Sequence, residues 1–229
     1  MMASASQAHP AYAVWFSGGK DSTLALDRMM RAGTTGVRLV TLYDRDSGRV
    51  RFHGVPVEVM VAQGDALGLP MRCYPTTPEA FEAVLVAALA EQRAEGVRGI
   101  VFGNIHLADV RAWYEERVRA AGLEHIEPLW GERPDDLVRE VVARGYRAVI
   151  TCIEEARADR GWLGQPITLP LVAEFARRGI DPCGERGEYH TLVTNGPLFR
   201  HPLAVQLGET RDESGFCQLD VQLQTPGRA

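Results

Sequence analysis

Through the first half of the chain, apolar runs of strand character alternate with amphipathic stretches of helical spacing. That order folds into βαβ units around a parallel sheet. The first run, Ala11 to Phe16, is β-branched and aromatic. It meets Ser17-Gly18-Gly19 and then a stretch from Asp21 to Ala32 with Leu24, Ala25, Arg28 and Met29 at helical spacing, so the local order is strand, tight loop, helix. Further strands are expected at Val37 to Tyr43, Met71 to Tyr74 and Gly99 to Ile105. Helices are expected at Pro56 to Leu67, from Pro78 to a stop at Gly96, and at Ala108 to Ala121.

From about His125 the texture changes to short elements separated by Pro and Gly. Helices are read near Pro134 to Ala143 and Leu169 to Arg178, and strands at Tyr146 to Ile153 and Phe216 to Leu223. The 229 residues suit one domain plus a smaller one. The expected architecture is therefore α/β: a doubly wound parallel sheet over residues 11–124, followed by a smaller α+β domain over 125–229.

Composition narrows the function classes. Hydrophobic residues are 45% and charged residues 24%, ordinary for a soluble globular chain, and no apolar run is long enough to span a bilayer. Met1 to Pro10 is small and polar, with neither a basic start nor an apolar core. It reads as a disordered tail and not a signal peptide, and the expected compartment is the cytoplasm. Cys73, Cys152, Cys183 and Cys217 form no C-x-x-C pair, which argues for buried thiols over a disulfide framework or a zinc knuckle. A net charge of −5 without a basic block argues against a nucleic-acid partner.

Ser17-Gly18-Gly19-Lys20-Asp21-Ser22 has the ingredients of a phosphate cradle. Adjacent glycines let the backbone turn and aim N–H groups at an anion, and the following helix adds its positive end. Lys20 supplies a point charge, and the hydroxyls of Ser17 and Ser22 can donate to phosphate oxygens. Walker A is excluded, because Val14 stands where its first Gly belongs and Asp21 replaces the Ser or Thr after the Lys. The dinucleotide G-x-G-x-x-G spacing is missing too. Asp21 is open to two readings, a helix cap or a magnesium ligand. An exposed loop of this kind is expected to contribute little to the core.

The segment resembles the PP-loop of the N-type ATP pyrophosphatases, which split ATP to AMP and pyrophosphate. The resemblance implies a fold of the adenine nucleotide alpha-hydrolase, Rossmann-like type. A second motif narrows it: Gly184-Glu185-Arg186-Gly187-Glu188-Tyr189-His190-Thr191 is similar to the Gly-Glu-Gly-Gly-Glu-(Tyr/Phe)-His-Thr signature of the diphthine-ammonia ligase family. Gly103-Asn104-Ile105, Pro128-Leu129-Trp130 and Asp181-Pro182 match that family's order, so the resemblance runs from Val14 to Phe199. Arg186 departs from it, where the family usually has Gly.

The resemblance implies an AMP-forming ligase using ATP and Mg2+, in which a carboxylate is adenylated and then amidated by ammonia. It implies diphthine on translation elongation factor 2 as substrate. Lys20, Asp21, Glu185, Glu188 and His190 become the catalytic candidates. Ser17, Gly18, Gly19, Lys20, Asp21, Ser22, Gly103 and Asn104 become the nucleotide-binding candidates, with Asp21 on the metal. Read as residues alone, Glu185, Glu188 and His190 put two carboxylates and an imidazole on a Gly-flanked turn, suited to magnesium, ammonium or proton transfer and equally to a structural turn. Asn104, past a strand end, suits adenine or ribose and equally a helix N-cap.

Three rival readings stay open: the same chemistry on a small carboxylate in corrinoid salvage, a PP-loop tRNA-modifying enzyme with Cys152 as sulfur carrier, and a nucleotide sensor without catalysis. His53 reads as a surface loop residue, and Trp130 and Trp162 as core. A homo-oligomer is left open.

Overall fold

The structure is a computed structural model and describes residues 11–224; the N-terminal tail lies outside the described residues. Strands β1 (Tyr12–Trp15), β2 (Val37–Asp44), β4 (Met71–Thr76), β5 (Gly99–Val101) and β6 (Glu124–Ile126) form a parallel sheet in the order β4-β2-β1-β5-β6. A short strand β3 (Arg49–Val50) pairs antiparallel with the end of β2. Helices α1 (Lys20–Arg31), α2 (Val57–Leu67), α3 (Phe81–Ala94) and α4 (Ala108–Ala120) are the crossovers.

Strand alternation divides these helices between the two faces. Val14, Leu39 and Val101 join one apolar cluster with Leu24 and Leu26 of α1 and Val59 and Met60 of α2. Their neighbours Ala13, Val40 and Ile100 join the other, with Leu85 and Leu89 of α3 and Val118 of α4. The sheet is thus doubly wound, as the sequence implies. Each fully buried leucine among them contributes roughly 2 kcal/mol.

The chain runs β1, β2, β4 toward one edge and then returns to add β5 and β6 on the other side of β1. The order reverses between β1 and β5, and the crevice beyond their carboxyl ends is where open α/β sheets bind ligands. Helix α3 starts at Phe81, after a turn at 78–80 that contains Pro78. Strand β5 stops at Val101, four residues short of the expected end, because the chain turns there toward α1. Strand β6 straddles the expected division at 124/125.

The remaining chain forms α5 (Pro134–Ala143), β7 (Arg147–Glu154), α6 (Leu169–Arg178), β8 (Tyr189–Asn195), β9 (Val205–Glu213) and β10 (Phe216–Leu223). The four strands make an antiparallel sheet in the order β8-β7-β10-β9. Leu137, Val138, Ile150, Phe175 and Leu192 bury into the same apolar cluster as α1 and α2. The antiparallel sheet is therefore packed against α1 and α2. No described helix is long and apolar enough to cross a membrane.

Candidate active site

The loop between β1 and α1 is held from the antiparallel sheet. Val193 on β8 donates its N–H to the Gly18 carbonyl at 2.9 Å, and Gln63 on α2 donates to both the Gly18 and Val193 carbonyls at 3.1 and 2.7 Å. Gly18 takes φ +78°, and a Cβ there would stand 2.6 Å from Gln63 Oε1, so the turn requires glycine twice over. Thr191 Oγ1 accepts the Lys20 backbone N–H at 3.1 Å. Ser17 and Ser22 face each other, Oγ to Oγ, at 3.2 Å across the loop.

Helix α1 begins from Gly19, with no side-chain cap. The capping reading of Asp21 is thereby corrected: its carboxylate instead pairs with Lys20 Nζ at 2.8 Å. Lys20 is only 3% exposed, so the expectation of an exposed loop also fails for this residue. Its ammonium donates to the Cys183 carbonyl and lies 4.9 Å from the Tyr189 ring centre. Burial is the largest influence and opposes the charge, but Asp21, through charge and hydrogen bond, together with Tyr189 and Cys183, offsets it and holds the Lys20 pKa above the ordinary lysine value.

Gly103 explains the early end of β5. A Cβ at this position would be 2.8 Å from the Asp21 carbonyl carbon and the Ser22 nitrogen, so only glycine lets the loop approach the start of α1. Asn104 follows, its Nδ2 donating to Glu127 Oε1 at 2.7 Å. It does not cap α4, whose N-cap is Leu107.

Two cavities meet at this crevice. One of about 210 Å³ is lined by Ser17, Lys20, Asp21, Ser22, Gly103, Asn104, Glu185, His190 and Thr191 among others. The other, of about 730 Å³, is walled by Trp15, Phe52, Phe81, Trp113 and Tyr114, with Asn104 and His53 at its edge. Trp15, Ser17, His53, Asn104 and Tyr114 border both. The larger volume lies in the range of small-molecule sites.

The second motif supplies the far wall. Glu185 Oε1 accepts the Ile105 N–H at 2.9 Å, and burial, with Asp21 nearby, raises its pKa. His190 sits with its ring 4.8 Å from His53 and 6.1 Å from Phe52. Burial first, then His53 and Lys20, push its pKa well below the histidine value.

Glu188 departs from the expectation of a catalytic carboxylate. It is fully buried outside both cavities' linings and accepts from the Asp181 N–H at 3.2 Å, the Arg186 N–H at 3.1 Å and Arg157 Nη2 at 2.6 Å. These donors make it the brace of its own loop. Arg186 needs no glycine conformation, because the positive φ values of this turn fall on Gly184 and Gly187.

His53, a surface loop residue on sequence alone, borders both cavities. Its Nδ1 donates to the Thr191 carbonyl at 3.1 Å, which leaves Nε2 as an acceptor, and burial lowers its pKa to about 4. The aromatic wall is not visible in the sequence, since Trp15 comes from β1, Phe52 from a loop, Phe81 from α3, and Trp113 and Tyr114 from α4. Cys152 is buried, and burial pushes its thiol up to about 12, the opposite of a sulfur carrier's need. Trp162 packs on Phe175 at 4.8 Å, and neither it nor Trp130 lines either of these two cavities.

A parallel doubly wound sheet with a Ser-Gly-Gly-Lys-Asp-Ser loop at its switch point defines a PP-loop ATP pyrophosphatase-type fold. Residues 11–125 match the family described as diphthamide synthase N-terminal domain, and residues 133–224 match the diphthamide synthase C-terminal domain. The chain belongs to the diphthamide synthase family. The diphthine–ammonia ligase of Bos taurus is 25% identical over 223 residues, covering 86% of this chain and 83% of that protein. The ligase of the same name from Rattus norvegicus is 24% identical, with the same coverages. The structure of the U34-tRNA thiolase from Methanococcus maripaludis aligns over 58% of this chain and 57% of its own, at 14% identity and a TM-score of 0.37.

Proposed function

We propose that this chain is an ATP-dependent, AMP-forming carboxylate–ammonia ligase. One observation carries the reading: the PP-loop and the second motif, far apart in sequence, wall a single cavity that opens into an aromatic one of nucleoside size. In this account the aromatic cavity takes adenine, and Ser17, Gly18, Gly19, Lys20 and Ser22 take the phosphates. The carboxylate oxygen attacks the α-phosphorus and pyrophosphate leaves; ammonia then attacks the acyl carbon, and AMP and a proton are released.

The residues suit these steps. Lys20, kept charged by Asp21, stabilises the leaving pyrophosphate. Glu185, its pKa raised by burial, takes the proton released from ammonia, and neutral His190 accepts an ammonia N–H. Asp21 Oδ1 is buried without a hydrogen-bond partner, a hard oxygen suited to magnesium, and Asp21 would hold that ion. Bound magnesium would neutralise charge on the phosphates. Residues 11–124 are assigned the nucleotide and 125–229 the acyl substrate.

The names of its relatives point to diphthine as the substrate, and the motif resemblance points to diphthine carried on elongation factor 2. The test is carboxylate-dependent exchange of labelled pyrophosphate into ATP, with diphthine-bearing elongation factor 2 in one arm and small corrinoid carboxylates in another. Exchange in the first arm is the expected result. Exchange only in the second would keep the adenylation and replace the substrate, and exchange in neither would contradict the ligase reading.

A further inference from the structure

Asn104 borders both cavities, and its orientation is set by one neighbour. Glu127, with a side chain 2% exposed, accepts from Asn104 Nδ2 at 2.7 Å. An ionised carboxylate only accepts hydrogen bonds, so this contact commits the amide nitrogen and leaves the amide oxygen for a ligand. Among the described residues, no hydrogen bond reaches Asn104 Oδ1. Arg111 Nε lies 3.1 Å from Glu127 Oε2 and favours the charged form, while His125 Nε2 stands 3.4 Å from Oε1. Burial raises the Glu127 pKa, so holding a carboxylate here is costly. A buried charge that turns one cavity-lining amide calls for a reason at the cavity.

We propose that Glu127 is a positioning residue that fixes Asn104 with its carbonyl oxygen free to accept a hydrogen bond from a ribose hydroxyl of the nucleotide. The inference rests on the nucleotide reading above. With the base in the larger cavity and the phosphates on the PP-loop, the sugar spans the junction that Asn104 borders. The pair therefore selects a ribonucleotide by an acceptor that cannot turn away.

Calorimetric titration of the full chain with α,β-methylene-ATP and its 2′-deoxy and 3′-deoxy forms, in magnesium buffer, tests this. The wild type binds the ribose form about tenfold tighter than one of the deoxy forms, a single lost hydrogen bond at a preorganised site. Glu127→Leu and Asn104→Leu each remove that preference, and the double variant loses nothing more. Asn104→Asp sets two carboxylates together and weakens binding. Adding Glu127→Gln reverses donor and acceptor and restores it, which a merely structural role for Glu127 would not produce. A preference that survives Glu127→Leu, or a swap that restores nothing, overturns the inference alone. A wild type that binds none of these nucleotides overturns the nucleotide reading and this inference together.

Discussion

Thr191 Oγ1 and the Lys20 backbone N–H, 171 positions apart, meet at 3.1 Å and join the antiparallel sheet to the first residue of α1. The hydroxyl satisfies one of the donors that a helix start leaves unpaired, a role local cap residues usually fill. Thr191→Val keeps the shape and removes the acceptor. The expected cost is about 1 kcal/mol, seen as a lower urea midpoint with unchanged slope, while Thr191→Ser stays near wild type. Equal midpoints for Val and Thr would show that the contact holds nothing.

Gly103 meets the backbone of Asp21 and Ser22 closely enough that an added methyl displaces one of the two segments. Gly103→Ala should lower stability by about 1–3 kcal/mol and weaken binding of α,β-methylene-ATP more than tenfold, since the displaced atoms begin the phosphate helix. Unfolding and titration on the same preparation separate the two effects. Wild-type affinity in this variant would mean that the start of α1 does not bind phosphate.

Glu188 is expected to act on the fold and not on the chemistry. Glu188→Gln replaces one acceptor oxygen with a donor facing an N–H group and removes the buried charge that Arg157 pairs with. A loss of about 2 kcal/mol in unfolding free energy is predicted, with nucleotide binding retained in the folded fraction. Unchanged stability with abolished amide formation would return Glu188 to the catalytic set.

The two imidazoles at the cavity set a pH dependence. His53 has a folded-state value of about 4 against an ordinary 6.5, so between these values the unfolded chain binds more protons than the folded one. The stability contributed by neutral His53 is complete above about pH 6.5 and is lost as pH falls toward 4. His190 shifts in the same direction. Urea midpoints from pH 7.5 to 4.5 should decline, and His53→Gln should flatten the decline; an identical slope in the variant would show that His53 stays solvated.

The sheet, its crossover helices and the phosphate loop were legible because their signals are local: Ala11 to Phe16, the paired glycines, and the spacing of Leu24 with Arg28. The two motifs were legible as well, although only folding shows that Thr191 of one holds Lys20 of the other. Strands β3, β6 and β9 were not legible: β3 and β6 are two and three residues long, and β9 is exposed along nearly its whole length, so it carries no apolar alternation. Glu188 and Glu185 look alike in a Gly-flanked acidic turn, and which one faces the cavity depends on Asp181, Arg157 and Ile105 from other parts of the chain. The burial of Lys20 has the same origin: Cys183 and Tyr189 close over it from the second half.

The central claim is that ATP is cut between its α and β phosphates to drive amide formation. Phosphorus NMR of the full chain with ATP, magnesium, ammonium and diphthine-bearing elongation factor 2, paired with mass analysis of the protein substrate, tests it most directly. AMP and pyrophosphate are expected in equal amounts, with one amide per AMP. ADP with inorganic phosphate, or AMP accumulating without amide, would contradict it.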